Sequence, residues 1–167
     1  MNTVFTASKI WSLYDRNLGL AERKLRSLPI YGGGEPKFRG LSGWVFEQVI
    51  LHCLRKELQA AGVKCSISEQ ATIGGRAKAD LKLDNHVLVE LKLSGSYGVA
   101  SYTKYPKYRK TAEKAGYTYL WFSGEESYRP YRVAATSAFG RSNTFYLDST
   151  ADWRRFLQRV RSLLKSS

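Results

Sequence analysis

Residues 77–93 read AKADLKLDNHVLVELKL, two short alternating runs around Asp84-Asn85-His86. Side chains on a strand point alternately to opposite faces. Leu81, Leu83, Val87, Val89, Leu91 and Leu93 share one parity within each run, and Asp80, Lys82, Glu90 and Lys92 take the other. Burying all the apolar residues on one face sets the register of the hairpin. A three-residue loop, 84–86, puts Leu83 opposite Val87 and therefore Asp80 opposite Glu90. A two-residue loop would pair Asp80 with Val89 and mix the faces. The alternation thus predicts two adjacent carboxylates with a lysine two residues along.

Carboxylates facing each other across strands, with Cβ atoms about 5 Å apart, repel. A divalent cation offsets that cost, since Mg²⁺ takes oxygen ligands and commonly uses one or two carboxylates plus substrate phosphate. Lys82 and Lys92 could instead neutralise the pair on a solvated sheet face. A third acid bears on the choice. Residues 41–61 form the clearest helix in the chain, started near Ser42 and stopped by Gly62. Its apolar arc is Trp44, Leu51, Leu54 and Leu58, with Glu47 in the middle. A carboxylate on a core-facing stripe is costly unless paired or bound to metal. Arg76 could pair with it, or it could lie at the rim of the core.

Further out, residues 8–28 read as a helix capped by Ser8 and ended by Pro29. The loop 30–40 holds Gly32-Gly33-Gly34 without the Lys-Ser/Thr of a phosphate-binding loop. A strand is expected over 63–73, before the two in the hairpin. Pro106 is placed to open a helix that runs to Ala115. Residues 117–122, YTYLWF, suit a strand buried on both faces. The segment 124–142 reads as irregular or a short strand pair, 144–147 as a strand. Ser149 or Thr150 caps a last helix with Trp153, Phe156, Leu157 and Val160 on one side. This order predicts one α/β domain over 1–167, a central mixed sheet flanked by helices.

The 167 residues carry 27 Lys+Arg against 14 Asp+Glu, a formal charge of +13. Such a surplus suits a polyanionic partner, nucleic acid before anionic membrane. Cys53 and Cys65 form no CxxC pair, and His52 and His86 have no metal-ligand spacing, which argues against zinc. Free buried thiols suit a reducing compartment. With no signal-peptide core and no run long enough to span a bilayer, a cytoplasmic protein with no membrane partner is expected.

The acid-bearing helix (Glu47), a strand, an acid on the next strand (Asp80), and Glu90-Leu91-Lys92 on the third, followed by helix and strand, resemble the PD-(D/E)xK nuclease superfamily of restriction enzymes and Holliday-junction resolvases. The resemblance covers about residues 40–122, with the first helix and the C-terminal strand and helix as extensions. Ala79 stands where many members have proline. The resemblance implies a restriction-endonuclease-like core and a Mg²⁺-dependent endonuclease, Mn²⁺ being an alternative ion. It implies a catalytic set of Asp80, Glu90, Lys92 and Glu47, and metal ligands drawn from Asp80, Glu90, Leu91 and Glu47. A homodimer is expected, because two cuts in a duplex usually need two sites.

The segment 97–119 interleaves Tyr97, Tyr102, Tyr105, Tyr108, Tyr117 and Tyr119 with Lys104, Lys107, Arg109, Lys110 and Lys114 just after the motif. They suit phosphate contact and base stacking, and Arg39, Arg76, Lys78 and Lys82 extend the candidate DNA surface. The tyrosines could equally be buried on the core. Two other functions fit the same charge: a nucleic-acid-binding protein without catalysis, and a nuclease acting on RNA. The first gives no reason for acids to face the nucleic acid.

Overall fold

A computed structural model describes residues 3–29, 40–74, 77–125 and 128–165. Among these the sheet has five strands in chain order: β1 (Ile67–Gly74), β2 (Ala77–Leu83), β3 (Val87–Lys92), β4 (Thr118–Ser123) and β5 (Thr144–Tyr146). β1, β2 and β3 pair antiparallel, whereas β3, β4 and β5 run parallel. Parallel neighbours need long crossovers. Helix α3 (Val99–Lys114) supplies the first and α4 (Arg129–Phe139) the second.

Strand alternation then sorts the core into two layers. Val87, Val89 and Leu91 of β3, with Leu120 and Phe122 of β4, pack against α1 (Ala7–Arg26), α2 (Leu41–Ala60) and α5 (Thr150–Lys165). Leu88 of β3, with Tyr119 and Trp121 of β4, packs against α3 and α4. The result is a mixed sheet between two layers of helices, the coarse architecture expected. No helix among the described residues is long and apolar enough to cross a membrane.

The hairpin has the expected register, Leu83 opposite Val87 and Leu81 opposite Val89. The paired positions end at Leu81–Val89, beyond which the Asp80 side chain meets the Leu91 N–H of β3. Its second face, however, is no solvated row, because α3 and α4 cover it. β2 also changes layers: Ala77 and Ala79 join the α3/α4 cluster, while Leu81 and Leu83 join the other. The change falls at Asp80, next to Gln70 of β1, whose φ of 50° is left-handed. A left-handed residue raises the local twist, which parity alone does not register.

Several boundaries move for local reasons. Thr6, not Ser8, caps α1 by accepting the Lys9 N–H at 3.2 Å. Gly40, with φ 97°, precedes α2, and Ser42 lies inside it. β1 starts at Ile67 rather than 63, leaving Val63 and Cys65 to pack on the core from coil. α3 begins at Val99, with Pro106 inside rather than at its start. Residues 129–139 are a helix, not strand or coil. Pro130 suits its first turn, and Ala135, Ala138 and Phe139 form its buried face. Ser149 caps α5, accepting the Asp152 N–H at 3.2 Å, while the Thr150 hydroxyl accepts the Ala7 N–H at 3.0 Å.

Of the apolar arc expected on α2, Leu51, Leu54 and Leu58 are buried but Trp44 is 55% exposed, and the buried face also takes in Val45, Phe46, Val49, Ile50 and Cys53. The fully buried acid of this helix is Glu57, which accepts the Phe5 N–H at 2.9 Å and the Trp153 indole N–H at 3.2 Å. Glu47 is half-buried beside that face.

Candidate active site

Glu90 lies on the covered face of β3, and its side chain is 3% exposed. A buried carboxylate needs donors, and three elements provide them. The Tyr105 hydroxyl of α3 donates to Oε1 at 2.8 Å. The Tyr119 hydroxyl of β4 donates to Oε2 at 2.7 Å. Lys92, two residues on and therefore on the same face, places Nζ 2.7 Å from Oε1. Lys104 Nζ stands 4.0 Å from that oxygen, over the rings of Tyr105 and Tyr108.

Asp80 joins the cluster across the hairpin. Its Oδ2 accepts the Leu91 N–H at 2.7 Å and lies 3.7 Å from Lys92 Nζ. Its Oδ1 has only a long contact from Gln70, at 3.4 Å. Burial, then the Glu90 charge, raise the Asp80 carboxyl above its ordinary range against the pull of Lys92. For Lys92, burial alone would lower the ammonium pKa, but Glu90 and Asp80 outweigh it and raise it. Lys92 Nζ also donates to the Leu91 carbonyl at 3.0 Å.

Glu47 reaches the same site from α2. Burial first, then the charge of Asp80, push its carboxyl up to about 7, with Lys92 opposing and Glu90 adding. Three acids therefore share one Coulombic neighbourhood with two lysines, in a chain that is otherwise strongly basic.

The expected ligands divide on inspection. The Glu90 oxygens and the Leu91 carbonyl already have donors, whereas among the described residues Asp80 Oδ1 has one long contact, from Gln70, and the Glu47 carboxylate accepts no hydrogen bond. Among the described residues no group of three or more His, Cys, Asp or Glu is arranged to hold a metal. Mg²⁺ does not require such a cage, since it keeps several waters and binds through one or two carboxylates. Asp80 and Glu47 fit that demand.

The candidate DNA-binding residues separate in the same way. Lys78, Lys107 and Lys110 are exposed and Tyr102 is 53% exposed. Lys82 lies over the Tyr117 ring, and Lys104 borders the acids. Tyr97 is a core residue at 2% exposure, packed on Tyr102, Tyr105 and Trp121, which removes it from the DNA-facing set. The Arg109 guanidinium is committed to Glu113 and to the Ala138 carbonyl, tying α3 to α4. Arg39 and Arg76 lie outside the described residues.

Tyr105 and Tyr119, which the sequence offers either as part of the interleaved nucleic-acid surface or as core tyrosines, are instead the donors to Glu90. A signal existed: a tyrosine in a strand buried on both faces must find a partner for its hydroxyl, and Tyr119 shares the parity of Trp121. Comparison with protein-family models, with curated proteins and with solved structures gives no match.

Proposed function

We propose that this chain is a metal-dependent nuclease that hydrolyses phosphodiester bonds in DNA. The observation that carries the reading is the meeting of Asp80, Glu90 and Lys92, with Lys92 Nζ 3.7 Å from Asp80 and 2.7 Å from Glu90, and with Glu47 of α2 in their electrostatic neighbourhood. Lysine and carboxylates in such proximity, beside the exposed lysines of α3, suit a phosphodiester substrate. A binding surface alone gives no reason to bury acids there.

In this reading Asp80 and Glu47 would hold Mg²⁺ or Mn²⁺. Bound there, the ion supplies a Lewis acid for the phosphate and lowers the pKa of water. Lys92 orients the attacking water and offsets charge developing on the phosphate oxygens. Lys104, at the border of the site, steers the backbone toward it. Lys107 and Lys110 continue the phosphate track along α3. A homodimer would deliver two cuts to a duplex.

The test is cleavage of a panel comprising plasmid, linear duplex, single strand, four-way junction and RNA. It is run with Mg²⁺, with Mn²⁺, with EDTA, and with Asp80→Asn. Metal-dependent cutting of DNA that the substitution abolishes is the expected result. Binding to the panel without cutting under either ion would overturn the catalytic reading.

A further inference from the structure

Glu90 is the best-satisfied polar group of the site, and this bears on what it does. A carboxylate offers about four lone-pair positions. Three are taken, by Tyr105 at 2.8 Å, Tyr119 at 2.7 Å and Lys92 at 2.7 Å. The side chain is all but closed to solvent at 3% exposure, against 14% for Asp80 and 32% for Lys92. An ion on this carboxylate would have to compete with Lys92 and the two hydroxyls for its oxygens.

The donors also come from elements that cannot move independently. Tyr119 lies on β4, hydrogen-bonded in parallel to β3. Tyr105 is packed on Trp121 and Phe139. Two rigid hydroxyls thus hold the carboxylate from both sides, and the carboxylate holds the ammonium. A lysine carries a four-carbon stem and considerable rotamer freedom, which such an anchor removes.

We propose that Tyr105 and Tyr119 are positioning residues that make Glu90 the anchor of the Lys92 ammonium, leaving cation binding to Asp80 and Glu47. The proposal rests on the nuclease reading for the purpose of the anchor, but not for its existence. The two tyrosines act through Glu90 on Lys92, without contact to substrate.

The variants are Tyr105→Phe, Tyr119→Phe, the double substitution, and Glu90→Gln, with Asp80→Asn for comparison. Each is first checked by thermal melting. Mn²⁺ affinity is measured by calorimetry, and Lys92 accessibility by reductive methylation of metal-free protein, read by peptide mass spectrometry. Cleavage is measured under single turnover at saturating Mg²⁺. The tyrosine variants and Glu90→Gln should hold Mn²⁺ within about three-fold of wild type, whereas Asp80→Asn weakens it about ten-fold or more. Lys92 labelling should rise about five-fold in the double variant, and single-turnover cleavage should fall about ten- to a hundred-fold.

Loss of Mn²⁺ binding in Glu90→Gln to the extent seen in Asp80→Asn would overturn the division of labour. Unchanged Lys92 labelling in the double variant would overturn the anchor. A purely structural role for the tyrosines predicts a lower melting temperature with an unchanged cleavage rate, which also counts against it. Should the double variant not fold, Tyr119→Phe alone makes the same comparison. If the wild type neither binds Mn²⁺ nor cuts, the nuclease reading fails, and the labelling result still decides the anchor.

Discussion

The Leu91 N–H donates to Asp80 Oδ2 at 2.7 Å, so the carboxylate of β2 is tied to the backbone of β3. Asp80 is thus a structural acceptor with one oxygen and a candidate ligand with the other. Asparagine keeps an acceptor for that N–H and removes the charge that Glu90 opposes, whereas alanine keeps neither. In EDTA, Asp80→Asn is expected within about 0.5 kcal/mol of wild type, and Asp80→Ala about 1–2 kcal/mol less stable. Urea denaturation checks this, and an asparagine variant weaker than alanine would refute the assignment. Both variants should lose cleavage.

The elevated carboxyl pKa of Glu47, about 7, has a signed consequence for stability. The ordinary glutamate value is near 4.3, so between roughly pH 4.5 and 7 the folded state binds more protons than the unfolded state. Stability therefore falls as pH rises through that window. Because the side chain is only half-buried, solvent screening reduces the effect to about 1 kcal/mol. In EDTA, Glu47→Gln should be more stable than wild type at pH 8 by that amount and show no gain at pH 4.5. Mg²⁺ should shrink the difference. Equal stability of the two proteins at both pH values would contradict the placement of Glu47 beside Asp80.

Glu57 serves packing rather than chemistry. One of its oxygens accepts both the Phe5 N–H and the Trp153 indole N–H, joining the segment before α1 and helix α5 to α2. Truncation to alanine leaves two buried donors without a partner. Glu57→Ala is expected to cost about 2–4 kcal/mol, with the metal dependence of any cleavage unchanged. A loss below about 0.5 kcal/mol in chemical denaturation would show the contact to be incidental.

Gly124 follows β4 directly and donates its N–H to the Lys92 carbonyl at 2.9 Å. A Cβ at this position would collide with the Leu93 carbonyl oxygen and meet the Trp11 ring. The ring can shift, but the carbonyl is backbone at the end of β3. Gly124→Ala should therefore cost about 1–3 kcal/mol and disturb Lys92, lowering cleavage even where the protein is fully folded. Adding Trp11→Ala should not restore it. Rescue by that second substitution would show that the ring, not the carbonyl, sets the limit.

The hairpin and its neighbours show how far local pattern reaches. The Leu83–Val87 register follows from alternation and loop length alone, but the paired positions stop at Leu81–Val89, short of Asp80 and Glu90. The helical wheel of α2 put Glu47 in the middle of the apolar arc, where it proves only half-buried, took Trp44 for a core residue and passed over Glu57. A wheel gives relative angles along one helix, whereas burial depends on where α1 and α5 dock. α4 escaped notice because its buried face consists largely of alanines, which carry little hydrophobic contrast. The change of layers at Asp80 depends on a left-handed residue in the neighbouring strand, which β2 itself does not encode.

The sequence by itself determined the hairpin and its Leu83–Val87 register, the shared face of Glu90 and Lys92, and a charge suited to a polyanion. These are properties of a two-residue period and of composition, and both are readable within a short window. Only the tertiary structure decided that α3 and α4 would bury Glu90, and that Tyr105 and Tyr119 would take up its oxygens. It also decided that Tyr97 would enter the core. The physical reason is that a buried carboxylate takes its donors from whatever the fold brings within 3 Å, and here they come from positions 15 and 29 residues away in the chain.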